Sequence, residues 1–132
     1  MDILLLGRDT SITNTIMEML SSVEAWSVTQ MFSIDKAAAK TSKKGFYDLV
    51  VANLTDFSPP PTQIVSKIKI HFPSSNLLVL YSYNQELLIK PLLEAGADGY
   101  LQNGISEDEL FEAVETVTDG EQFIGVNPPI KQ

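Results

Sequence analysis

Tyr47 to Asn53 reads YDLVVAN, and the loop after it reads LTDFSPPP. A compact apolar run, led in by Asp48 and closed by turn residues, is the pattern of a strand buried on both faces in a parallel sheet. Its last residue, Asn53, is a short polar side chain delivered to the carboxyl end of that strand. In open α/β sheets this is the edge where ligands bind. An amide there cannot become an acyl phosphate, and it brings no charge to a divalent cation.

Working outward, apolar runs alternate with helical patterns along the whole chain. Asp2 to Leu6 (DILLL) is a buried first strand ending at Gly7. Thr10 to Ser22 carries Ile12, Ile16, Leu20 and Val23 as one helix face. Trp26 to Phe32 is a second strand, with Trp26 at the rim of the core. Ser33 caps an alanine- and lysine-rich helix that stops at Gly45. Thr62 to His71 is a helix ended by Pro73, and His71, the lone histidine, is expected to offset the helix dipole rather than to bind metal. Asn76 to Ser82 is a fourth strand, Gln85 to Ala95 a helix closed by Gly96, and Gly99 to Gln102 a short fifth strand. In the last helix Ser106 and Glu109 form a capping box, Leu110, Val114 and Val117 form the inner stripe, and Gly120 is the stop. Strict alternation gives a doubly wound parallel sheet with helices on both faces.

A chain of 132 residues with 44% hydrophobic and 20% charged residues is one globular domain. It has no cysteine, which removes disulfides, thiolate zinc sites and cysteine nucleophiles. No apolar run approaches the roughly 18 residues of a membrane helix, and MDILLLG is too short for a secretion signal. The expectation is a cytoplasmic protein with no membrane partner. A net charge of -8 argues against direct nucleic-acid binding by this segment. Lys36, Lys40, Lys43 and Lys44 in one helix, and the acidic SEDELFEAVETVTDGE, are either solvated faces or docking surfaces for a charged partner.

The piece GADGYLQNG, Gly96 to Gly104, resembles the fifth-strand segment GADGYLLKD of response-regulator receiver domains of the LuxR/NarL-type branch. YDLVVANL is similar to that branch's third-strand DLVLLDL, and DGEQFIG resembles its lead into a linker. The resemblance covers Asp2 to about Phe123. It implies a five-stranded (βα)5 flavodoxin-like fold of strand order 2-1-3-4-5 over residues 1–123, with 124–132 as tail or start of a linker. In such receivers two acids after the first strand and an acceptor aspartate after the third hold Mg²⁺. A Ser or Thr after the fourth strand and a Lys after the fifth contact the phosphoryl group. Those places fall here on Gly7 and Arg8, Asn53, Tyr81 and Asn103, and every one departs from the pattern. A register slip of one residue would put Arg8 and Asp9 at the acid pair, still without an acceptor.

A degenerate phosphorylation pocket of Gly7, Arg8, Asp9, Asn53, Tyr81 and Asn103 follows, with no metal, no cofactor and no catalytic set. Arg8 is either a solvated loop residue or a built-in cation paired with Asp9 or Asp56. Tyr81 either packs at the top of the sheet or fills the vacated cavity. Tyr100 matches the family's aromatic switch position, with a fixed rotamer as the simpler expectation and a partly exposed ring on an edge strand as the other. Pro91 implies a late start for its helix, after a looser Gln85 to Lys90 segment. Pro59, Pro60 and Pro61 imply a stiff loop beside Asn53. Two readings of function remain. One is a pseudo-receiver acting independently of aspartyl phosphorylation, a protein-interaction or dimerisation module in transcription regulation using its helix 4–strand 5–helix 5 face. The other is a small-molecule or anion sensor on the same scaffold.

Overall fold

The computed structural model describes residues 1–44, 46–104 and 106–127. Gly45, the expected stop of the second helix, and Pro128 and Pro129 of the tail lie outside the described residues, as do the side chains of Lys43 and Lys44.

Strands β1 (Asp2–Leu6), β2 (Ser27–Met31), β3 (Leu49–Asn53), β4 (Asn76–Tyr81), β5 (Gly99–Gln102) and β6 (Phe123–Gly125) are joined by helices α1 (Ser11–Ser21), α2 (Ile34–Lys44), α3 (Pro61–His71), α4 (Glu86–Glu94) and α5 (Glu107–Thr118). All pairings are parallel, in one sheet of order β2-β1-β3-β4-β5-β6. The expected order is present, with a sixth strand added outside β5. Three residues are too few to show a period in sequence. The strand is nonetheless tied down, because Asn127 donates its backbone N–H to Gln102 Oε1 at 2.9 Å. β5 is therefore an interior strand, not the edge strand that one reading of Tyr100 assumed.

Alternation along the strands divides the core in two. Leu4, Leu6, Val50, Ala52, Leu77, Val79 and Tyr100 face α2, α3 and α4. Ile3, Leu5, Leu49, Val51, Leu78, Leu80 and Leu101 face α1 and α5. Each fully buried Leu, Ile or Val among them contributes about 1.5–3 kcal/mol.

The inner face of α1 is not the Ile12–Ile16–Leu20–Val23 line. Thr13, Ile16 and Leu20 are buried, whereas Ile12 is 47% exposed. A four-residue spacing drifts about 40° per step around a helix, which carries Ile12 off the face and brings Thr13 onto it. α4 is a second correction. It begins at Glu86, with Leu88 and Ile89 N–H groups already bonded to the Gln85 carbonyl at 3.0 and 3.1 Å, and continues through Pro91. Pro91 is on the exposed face, so its ring points away from the core. Leu87, whose carbonyl residue 91 would otherwise serve, is 86% exposed, and water can take that place. Pro61 opens α3 at its first turn, where the missing N–H removes nothing. His71 closes that helix, its Nδ1 2.9 Å from the Lys67 carbonyl and its Nε2 3.3 Å from Asp35 Oδ1.

A candidate site sealed by hydrogen bonds

Asn53 ends β3 with its side chain on the α1 side of the sheet, fully buried. A buried amide needs partners for both donors and its acceptor, and Asn53 has them all. Nδ2 donates to Thr13 Oγ1 at 3.1 Å and to Asp56 Oδ2 at 3.4 Å. Oδ1 accepts from the Thr55 hydroxyl. A 3-10 turn, Leu54–Asp56, curls the Asp56 carboxylate back over the end of its own strand. There Oδ2 also accepts the Thr13 hydroxyl at 2.7 Å and the Arg8 backbone N–H at 2.8 Å.

The direction of each bond is fixed by chemistry. A carboxylate can only accept, so Thr13 must donate to Asp56, and Asn53 must present its NH₂ to both. Asn53 Oδ1 then faces the Thr55 hydroxyl and accepts its hydrogen bond. Thr55 Oγ1, its proton committed, accepts from Asn103 Nδ2 at 3.4 Å. One oriented chain thus runs from Asn103 through Thr55 and Asn53 to Asp56. The far end is incomplete, since Asn103 Oδ1 is buried without a partner.

This arrangement does not fit Mg²⁺, which needs several oxygen ligands in a tight octahedron. Asp56 is the one carboxylate in the set, and its Oδ2 is already occupied. Asp9 turns away and accepts from Asn14 Nδ2 at 2.7 Å. Among the described residues no cluster of three or more His, Cys, Asp or Glu could hold a metal ion. Gly7 leaves no space for an acid either. A Cβ on it would lie 2.7 Å from Thr13 Oγ1, 2.9 Å from Thr13 Cγ2 and 3.0 Å from Asp56 Oδ2.

Of the expected pocket residues, Gly7, Asn53 and Asn103 come together, and Arg8 joins only through its backbone. Its guanidinium is not the built-in cation that one reading supposed. It lies over the Phe32 ring, 4.5 Å from the centroid, and Phe32 stacks on Phe57 at 5.0 Å. Tyr81 does not fill the cavity, because β4 turns its ring toward the α2–α3–α4 side, edge-on to Tyr83 at 4.7 Å. Only its carbonyl touches the site, accepting the Asn103 N–H at 2.9 Å. Tyr100 is fully buried, and its hydroxyl donates to the Tyr83 carbonyl at 2.6 Å. Burial pushes this phenol well above its ordinary value. Thr13 and Thr55 were not legible as site residues, and Asp56 only as a partner for Arg8. Leu87, Leu88 and Ile124 leave α4 and β6 with an exposed apolar face.

This geometry can be set beside known proteins. No protein-family model matches the chain. A LuxR-family two-component response regulator from Aurantimonas superposes with a TM-score of 0.80 at 18% identity, covering 96% of this chain and 90% of that one. The chain has the fold of a response-regulator receiver domain. The signal receiver domain of NarL from Mycobacterium tuberculosis is similar with a TM-score of 0.74, at 15% identity over 91% of this chain and 97% of that one. Oxygen regulatory protein NreC of Staphylococcus epidermidis is 32% identical over 75 residues, which cover 54% of this chain and 34% of that protein. The match thus spans about a third of the curated relative's length. No described helix is long and apolar enough to cross a membrane.

Proposed function

We propose that this chain is the receiver of a LuxR/NarL-type response regulator and works without aspartyl phosphorylation, as an interaction or dimerisation module in transcription regulation. One observation carries the reading: at the place where a receiver presents its acceptor carboxylate, an amide is held by three side chains that leave it no free polar group. Phosphoryl transfer needs a nucleophile and charge neutralisation at the transferred group, and this edge offers neither.

Three further features support it. The Gly7 position lacks room for a metal-binding acid. Arg8 is engaged with an aromatic ring. Tyr100 is held inward by a hydrogen bond that requires no trigger. Signal then passes through shape and contacts, with the exposed Leu87, Leu88 and Ile124 as the surface offered to a protein partner or a second copy. The test is incubation with acetyl phosphate and MgCl₂, read by intact mass, together with a Mg²⁺ titration followed by amide NMR. The expected result is no phosphoryl adduct and no saturable change around residue 53. An adduct mapped to this edge, or Mg²⁺ saturating there at millimolar concentration, would overturn the proposal.

A further inference from the structure

Asn103 is followed by Gly104, the one Asn-Gly pair among six asparagines in the chain. Asn14, Asn53, Asn76 and Asn84 precede Thr, Leu, Leu and Gln, and Asn127 precedes Pro, which has no N–H to lose. The pair stands at the turn after β5. Gly104 is exposed, with a φ of 87° and nothing within 4 Å of where a Cβ would lie. Among the described residues its N–H meets no hydrogen-bond acceptor. The Asn103 side chain is loosely held. Its Nδ2 makes one bond, to Thr55 Oγ1 at 3.4 Å, and its Oδ1 is buried without a partner. By contrast Asn53 has every polar group of its side chain engaged, and Asn14 is held to Asp9 at 2.7 Å. Swinging Asn103 out toward the turn gives up one long bond and returns a stranded oxygen to water.

We propose that Asn103–Gly104 is a site of spontaneous deamidation, and that the carboxylate it creates reverses the hydrogen-bond chain sealing this edge. The Gly104 nitrogen, its proton taken by hydroxide, bonds to Asn103 Cγ, and the Cγ–Nδ2 bond breaks to release ammonia. The five-membered succinimide then takes up one water at either carbonyl, opening to an aspartate or an isoaspartate at position 103. The step consumes only water. Glycine suits the attack because it has no Cβ to crowd the ring. The product carboxylate can only accept. Thr55 Oγ1, which accepts from Nδ2 in the amide form, then faces a charged acceptor, and charged acceptors make the stronger hydrogen bonds. Thr55 swings its O–H from Asn53 Oδ1 to position 103, and the buried Asn53 oxygen loses its donor. A charge added at an exposed turn thus reaches the end of β3.

The whole chain is incubated warm in mildly alkaline buffer and sampled over days. Digestion before aspartates releases the peptide Asp98–Glu107, which should gain the mass difference between an amide and an acid. The aspartate fraction should also be newly cleaved before position 103. The same peptide, made synthetically and kept in the same buffer, is the reference. Because opening an exposed turn costs little, the native chain should convert within about tenfold of the peptide's rate. Gly104→Ala should slow conversion at least about tenfold, and Asn103→Gln should show no gain. Asn103→Asp, prepared directly, should move the Asn53 side-chain NH₂ resonances in ¹⁵N NMR, whereas Asn103→Ala should leave them nearly in place. The inference fails if position 103 stays an amide in the native chain while the free peptide converts, or if another asparagine converts first. It also fails if Asn103→Asp leaves the Asn53 resonances where they were. None of these outcomes depends on whether the edge accepts a phosphoryl group, so the two tests fail separately.

Discussion

Asn53→Asp puts a carboxylate at the end of β3 by exchanging one atom, and the structure gives the change a definite consequence. The substituted atom is a donor nitrogen 3.4 Å from Asp56 Oδ2. With oxygen there, two carboxylates repel by roughly 5 kcal/mol at an effective dielectric constant of about 20. Proton uptake limits the loss, since keeping a carboxyl of ordinary value about 3.9 protonated at neutral pH costs about 4 kcal/mol. The variant should therefore be about 4 kcal/mol less stable than wild type at neutral pH, a large share of the roughly 5–15 kcal/mol a domain has. The sign with pH follows. The introduced carboxyl is raised in the folded state relative to the unfolded chain, so folding takes up a proton. Stability is fully present below about pH 4 and is lost as pH rises toward neutrality. Urea unfolding from about pH 4.5 to about pH 8, with wild type and Asn53→Ala in parallel, measures this. Asn53→Ala loses both NH₂ donations, and the Thr55 bond as well, without the slope. If Asn53→Asp follows the wild-type pH profile, the proximity of Asp56 to residue 53 is wrong.

Thr13→Val keeps the shape but leaves Asp56 and Asn53 each short of a partner, and should cost about 1–3 kcal/mol in chemical denaturation. Gly7→Ala drives a methyl group into Thr13 and should cost about 1–3 kcal/mol; paired with Thr13→Ala its penalty should shrink, as a double-mutant cycle would show. Tyr100→Phe removes the bond to the Tyr83 carbonyl and should cost about 1 kcal/mol. In wild type the Tyr100 phenol stays neutral beyond the ordinary tyrosine range of about 10, so stability falls as pH rises above that value while unfolded chains ionise; absorbance titration should show one tyrosine lagging the others. Pro91→Ala restores a helix-interior donor and should stabilise the fold by about 2 kcal/mol after allowing for the freer unfolded chain, seen as a higher midpoint of thermal unfolding.

The fold was legible because three strands, β1, β3 and β4, are continuous apolar runs and the helix signals are local. Ser33 bonds the Lys36 N–H at 3.2 Å and Ser106 the Glu109 N–H at 3.3 Å, as their spacing implies, and Gly96 adopts a φ of 127° at the end of α4. The site was legible as departures from a pattern, at Gly7, Asn53 and Asn103. What replaced the pattern was not. Thr13 is 40 residues from Asn53, and its inward placement depends on how α1 is rotated, which the four-residue repeat of isoleucine and leucine disguises. Asp56 reaches the site through a 3-10 turn whose sequence, LTD, carries no signal that a carboxylate will fold back over its own strand. Arg8 illustrates the limit in another way. Charge alone suggested a pairing with Asp56, but the side chain found Phe32 and only the backbone found the acid.

β6 carries a consequence for how this sheet meets other chains. An unprotected margin of N–H and C=O groups is a template on which a foreign strand can add, and short margins blunt that hazard. β6 takes up the outer side of β5 and leaves a rim only three residues long in its place. Recruitment on this flank is therefore left to side chains, and uncontrolled stacking of one sheet onto the next has little backbone to grip.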